Sequence, residues 1–213
     1  MNILSIDTAT TPHSVSLRTK DKTVSLVSLD ATTQSEHMFL EINTILQKAE
    51  IDYKNLDAIL CTIGPGSFTG IRIGIAAIRG IKKILPHIKI HGFTTMELIA
   101  YSKNKHRKDK TINVITNAFG NELYIQKFDE KDNQLSDISV IHKDQLVKKQ
   151  GKQTFVSNDK SIAQNMDINV ELSEYDATTI TQYYLNYPDK AQTVKPLYIK
   201  KPNIHHGALR KNS

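Results

Sequence analysis

A chain of 213 residues, 39% hydrophobic and 23% charged, carries enough apolar material for one substantial core or two smaller ones and needs no covalent staples. Its single cysteine, Cys61, lies in an apolar run and excludes an intrachain disulfide, which fits a reducing compartment. No run approaches the length of a membrane span, and the N-terminus lacks a leader's basic and apolar segments, so a cytoplasmic protein without membrane contact is expected.

The net charge of +6 is unevenly placed: residues 102–110 hold five Lys or Arg against one acid, and residues 195–213 hold five against none. Such segments can approach phosphate backbones with salt-sensitive affinity, and they also match a solvated loop and a tail. Neither carries the interleaved aromatics of a single-strand binding face.

In chain order, residues 3–8 read as a strand ending at Asp7, followed by the hydroxyl residues Thr8 and Thr10. Residues 14–18 and 23–27 alternate as a hairpin. Over 35–50 the apolar Met38, Ile42, Ile45, Leu46 and Ala49 share one helical face, with Ser35 as the N-cap. A buried strand over 57–63 then runs into Gly64-Pro65-Gly66-Ser67-Phe68-Thr69-Gly70, and Ile71, Ile75, Ile78 and Ile81 follow at helical spacing. Ser67 or Thr69 caps that helix. Its Gly70, Gly74 and Ala77 form a small-residue stripe that lets another helix approach, either inside the molecule or from a partner.

A strand over 89–93 and a helix over 95–101 complete the order β-β-β-α-β-α-β-α, a mixed α/β layer with an antiparallel hairpin at one side. The basic segment 102–110 divides a first lobe, 1–101, from a second, 102–194, which is followed by a basic tail, 195–213. Strands over 111–115 and 122–126 repeat the opening of the first half, although the two halves are too different to read as a sequence repeat. Weaker helical patterns follow over 142–150 and 178–187, and Pro188 closes the last.

The glycine run admits three readings: an anion cradle at a helix N-terminus, a platform for a partner, or a tight connection. Asp7 with Thr8 and Thr10 is either a phosphate or magnesium corner or a locally satisfied turn. Asn117, after the equivalent strand of the second half, is an amide where a two-lobed phosphotransferase needs a second acid. The histidines are scattered, apart from the adjacent His205 and His206, and suggest no metal site. No GxxxxGK[ST], HExxH, GxSxG or CxxC pattern is present.

Three stretches together, Ile6-Asp7-Thr8-Ala9-Thr10, the glycine run through Gly74, and Pro196-Leu197-Tyr198-Ile199-Lys200, resemble the TsaB (YeaZ) family. The resemblance implies an actin-like, two-lobed ASKHA (ribonuclease H-like) fold whose chain end returns to the first lobe. It also implies a non-catalytic scaffold role in adding a threonylcarbamoyl group to adenosine 37 of tRNAs reading codons that begin with A. The implied partners are TsaD and TsaE, with a homodimer when TsaD is absent and weak or indirect contact to tRNA. No metal or catalytic residue is expected on this chain, and ATP or ADP is expected only at an interface within the complex.

The family's interface helices correspond to Ser35, Met38, Ile42 and Ile45 on the first and to Phe68, Gly70, Ile71, Gly74, Ala77 and Ile78 on the second. A bulky residue at Gly74 is accordingly expected to weaken association with TsaD and spare the fold. Asp7, Thr8, Thr10, Gly64, Gly66, Ser67 and Asn117 correspond to a degenerate nucleotide site. Where the family usually has Asp-Ala-Arg and then Gly-Glu-Val-Tyr, this chain has Asn117-Ala118-Phe119-Gly120-Asn121-Glu122-Leu123-Tyr124, losing both acid and arginine. The alternative class, a stand-alone actin-like phosphotransferase or peptidase, draws its only support from Asp7 and the glycine loop.

Overall fold

In a computed structural model that describes residues 1–28, 34–104, 109–148 and 153–200, apolar strands build two sheets and the helices cover them. The side chains of residues 34–36 and 104 also lie outside what is described. The first sheet takes β1 (Ile3–Asp7), β2 (His13–Arg18), β3 (Thr23–Ser28), β4 (Ala58–Gly64) and β5 (Lys89–Thr94) in the order β3-β2-β1-β4-β5. β1 pairs antiparallel with β2 and parallel with β4.

The second sheet takes β6 (Thr111–Asn117), β7 (Glu122–Asp129), β8 (Ser139–His142), β9 (Thr154–Ser157) and β10 (Val170–Leu172) in the order β10-β9-β6-β7-β8. β6 pairs antiparallel with β7 and parallel with β9. Both sheets thus follow one plan, a three-stranded meander whose first strand also begins a parallel run. The halves that share so little sequence share this topology.

Alternation along β1 decides which helices lie on which face. Leu4 and Ile6 join a core with α1 (Gln34–Ala49) and α2 (Phe68–Ile84). Ile3 faces the other way, into a core with α3 (Thr95–Asn104) and α6 (Ala177–Asn186). Ser5, on that second face, shares a 2.6 Å hydroxyl contact with Thr181 of α6. The short helices α4 (Lys143–Lys148) and α5 (Lys160–Asn165) cover the outer face of the second sheet through Leu146 and Ile162.

Helix α3 is buried from Thr95 to Tyr101 because both lobes pack against it. Leu98 and Tyr101 pack with the first sheet, and Met96, Ile99 and Ala100 pack with the second. Helix α6 lies past the basic 102–110 segment in sequence, yet it packs on the first sheet, where the Ala177 N–H donates to Ser14 Oγ at 2.9 Å. After α6 the chain crosses both lobes as a strap. Gly92 and Gln192 exchange backbone hydrogen bonds, the Leu197 N–H donates to the Ile63 carbonyl at 2.9 Å, and Lys200 Nζ reaches the Ala118 carbonyl at 2.8 Å.

Several boundaries differ from the sequence expectation. Helix α1 already includes Ser35, so Ser35 is not its N-cap, and its side chain lies outside the described residues. The helix expected over 142–150 is the single α4, because His142 still belongs to β8; residues 149–150 lie outside the described residues. Helix α6 starts at Ala177, capped by Asp176, whose Oδ1 accepts from the Thr178 and Thr179 N–H groups. Residues 105–108 of the basic segment and 201–213 of the tail, with His205 and His206, also lie outside the described residues. Among the described residues, no helix is long and apolar enough to cross a membrane.

Candidate functional site

A cleft of about 880 Å³ lies between the lobes. It is lined from one side by Thr10, Gly66 and Ser67 and from the other by Asn117, Phe119 and Asn158. The topology places the end of β1 opposite the end of β6, so Asp7 and Asn117 occupy equivalent corners.

Asp7 is fully buried, and its carboxylate serves its own turn. Oδ1 accepts the Ala9 N–H at 2.9 Å and the Thr62 hydroxyl at 2.7 Å, while Oδ2 accepts the Thr10 hydroxyl at 2.6 Å. Thr8 turns away from the cleft and donates its hydroxyl to the Gly70 carbonyl at 2.7 Å. The locally satisfied turn is therefore the reading that the geometry supports. Burial, with the Asp7 charge beside it, pushes the neighbouring Tyr175 phenol well up. Cys61 is buried as well; desolvation, with the Asp7 charge added and Arg79 opposing, pushes its thiol up to about 12, which keeps it protonated and unreactive.

The glycine loop is held as tightly. Gly64 adopts φ +108, a conformation that side chains disfavour. A Cβ on Gly66 would lie 2.3 Å from the Ala9 carbonyl oxygen, and that oxygen accepts the Ser67 N–H at 2.8 Å. Ser67 caps α2 by accepting the Gly70 N–H at 3.1 Å. An anion cradle needs free amides and nearby cations. Here Ser67 and Gly70 direct their N–H groups inward, Pro65 has none, and the lysine lining the cleft, Lys160, pairs with Glu174 at 2.8 Å. Two of the loop's amides are thus spent on its own fold. At the opposite corner, Asn117 Oδ1 accepts the Phe119 N–H at 2.8 Å and so shapes a turn. Among the described residues, no three His, Cys, Asp or Glu side chains gather as a metal site.

Residues expected to meet a partner lie mostly in the core. Met38, Ile42, Ile45 and Ile78 are at most 1% exposed, and Ile71 and Ala77 are also buried. The stripe of Gly70, Gly74 and Ala77 faces inward, and a Cβ on Gly74 would meet Thr8 Oγ1 at 2.5 Å. Small residues were needed for close approach, but the approaching group is this chain's own first turn. Of the expected set, Phe68 is exposed, at 42%. Phe39 and Leu40 of α1, which sequence periodicity passed over because they fall off the apolar face, are 44% and 62% exposed.

Sequence reasoning also missed Glu97, since one acid in a helical stretch carries no signal. It is buried where α3 leaves β5, and Oε2 accepts the Thr94 N–H at 2.8 Å, the Thr94 hydroxyl at 2.7 Å and Gln192 Nε2 at 3.1 Å. Oε1 accepts Gln134 Nε2 at 3.0 Å, tying the first lobe to the second and to the returning strap. Desolvation pushes this carboxyl above its ordinary range, against hydrogen bonds from Thr94 and Gln134 and the Lys190 charge.

Two copies of one strand plan, with α3 and α6 lodged between them and a cleft at equivalent strand ends, define a two-lobed α/β protein of the actin-like ASKHA class. The model of the TsaD family, described as tRNA N6-adenosine threonylcarbamoyltransferase, matches residues 30–195. The chain belongs to this family and, within it, to the TsaB (YeaZ) group.

It is 33% identical over 125 residues to the tRNA threonylcarbamoyladenosine biosynthesis protein TsaB of Buchnera aphidicola subsp. Schizaphis graminum, covering 57% of this chain and 58% of the relative. It is 33% identical over 106 residues to the TsaB of Escherichia coli, covering 49% and 46%. The chain thus spans about half the length of the curated relatives it matches. The structure of YeaZ from Pseudomonas aeruginosa superposes with a TM-score of 0.74 at 16% identity, over 92% of this chain and 99% of that one, a likeness of fold.

Proposed function

We propose that this chain is the non-catalytic scaffold subunit of an assembly that adds a threonylcarbamoyl group to adenosine 37 of tRNA, with TsaD as catalytic partner and TsaE as a third component. The names of its relatives, tRNA threonylcarbamoyladenosine biosynthesis protein TsaB, supply the pathway. The observation that carries the scaffold role is the inward turn of the cleft corner: Asp7 gives both carboxylate oxygens to Ala9, Thr10 and Thr62, and Ser67 gives its N–H to Ala9. A group already held by its own fold has little left for a reacting centre. Nucleotide, on this reading, is held between subunits by groups the partner contributes.

The interaction face is the outer side of α1 and α2. There Phe39 and Leu40 stand exposed over a core that fixes the helices beneath them. The same face closes a homodimer when TsaD is absent. The division of the chain into a first lobe that binds partners and a second that does not belongs to the same proposal. Co-purification with TsaD and TsaE, with and without ATP, followed by assay of modified adenosine, tests it. Modification that persists at an unchanged rate without this chain would overturn the scaffold role.

A further inference from the structure

We propose that Phe68, Phe119 and Tyr198 form a stacking site for an unpaired RNA base, with Arg72 supplying a cation for the adjoining phosphate. The inference rests on the tRNA-linked function above and adds a contact surface to it. The three rings come from the start of α2, the β6–β7 turn and the strap, and they wall a cavity of about 160 Å³ that adjoins the interlobe cleft and shares Gly66 and Phe119 with it.

Each ring is open to solvent: Phe68 is 42% exposed, Phe119 62% and Tyr198 52%. Phe119 is also held in a left-handed conformation, φ +65, that an aromatic residue rarely adopts. The hydrogen bond from its N–H to Asn117 Oδ1 maintains that turn and leaves the ring projecting at the mouth of the cavity. Strain that exposes a large apolar ring stabilises no core, and such strain collects where a ligand is met.

The charge on this surface complements a nucleic acid. The Arg72 guanidinium lies 3.7 Å above the Phe68 ring and donates Nε–H to the Tyr198 hydroxyl at 3.0 Å, so the cation and both rings are oriented together. Lys200 lines the cavity, held by the Ala118 carbonyl and the Glu122 carboxylate. Aromatic faces beside cations bind single strands with little base preference, because every base offers a π-face. The fold brings Phe68 and Phe119 to Tyr198 and Lys200, which sequence alone could not associate with them.

The test measures binding of the full chain to a fluorescein-labelled single-stranded RNA heptamer and to a duplex of the same sequence, at 50 and 200 mM salt. Single-strand binding should be tighter and should weaken with salt. Phe119→Ala and Tyr198→Ala should each weaken it by between about fivefold and a hundredfold with melting temperature retained, whereas Tyr198→Phe, which keeps the ring, should bind within about threefold of the parent. Equal affinity for duplex, or parent-like affinity in both alanine variants, overturns the proposal. Alanine variants that bind RNA normally but lose TsaD assign the surface to a protein interface and also overturn it. The heptamer assay contains no partner subunit, so its failure leaves the scaffold reading standing, and failed TsaD co-purification leaves base stacking standing.

Discussion

Gly74 leaves no space for a side chain beside Thr8: a Cβ there would stand 2.5 Å from Thr8 Oγ1. That oxygen cannot turn aside without giving up its 2.7 Å bond to the Gly70 carbonyl in a buried site. Gly74→Ala should therefore destabilise the fold by about 1–3 kcal/mol through overpacking. In a Thr8→Ala background the obstruction is gone, and the same change should stabilise by about 0.5–1 kcal/mol through helix propensity. A double-mutant cycle by urea denaturation checks the reversal of sign. An additive result would place the cost of alanine elsewhere.

Asp7→Ala should cost about 2–5 kcal/mol, because it strips the acceptor from the Ala9 N–H and from the Thr10 and Thr62 hydroxyls at once. Asp7→Asn keeps an acceptor oxygen and should cost distinctly less. Chemical denaturation of both variants, beside the parent, decides the order. Loss of activity in the alanine variant then reports a damaged turn rather than a missing catalytic acid.

The sequence revealed β1 to β7, the glycine loop and helix α2 because each has a local cause: alternation or an apolar run, a Gly-Pro-Gly run, isoleucines at helical spacing; it left the cap of α2 open between Ser67 and Thr69, and the structure uses Ser67. It did not reveal β8, β9, α5 or β10, which are three to six residues long and gain their order from pairing across the second sheet. The stripe at Gly70, Gly74 and Ala77 was visible, but its direction was not, since an internal neighbour and a partner ask for the same small residues. Nor could spacing show that Phe68, Phe119 and Tyr198 converge, or that Glu97 would be met by Gln134 and Gln192.

Glu97 makes stability depend on pH in a stated direction. Its folded carboxyl is pushed up by burial, so the folded state keeps this proton to higher pH than the unfolded chain does. The group's contribution is complete below the ordinary glutamate range and is lost as pH climbs through the folded value. Glu97→Gln removes the titration while Gln134 can reverse its amide to keep the contact. Its stability relative to the parent should rise between pH 4 and pH 8, as read from urea midpoints; a difference that stays flat with pH would show that Glu97 carries its charge without penalty.

The outer face of α1 separates packing from association. Leu40 is 62% exposed, whereas Ile42 and Ile45 beneath it are fully buried, so Leu40→Arg touches the surface and leaves the core in place. Surface changes of this kind usually alter stability by less than about 0.5 kcal/mol. A charge set into the centre of an apolar interface costs about 2 kcal/mol or more, close to thirtyfold in affinity. Leu40→Arg should thus keep its melting temperature while losing both the homodimer on light scattering and the co-purification of TsaD. Phe39→Glu should behave alike if the two rows form one face. Retention of both assemblies by both variants would move the interface away from these helices and would leave their exposed side chains as ordinary surface.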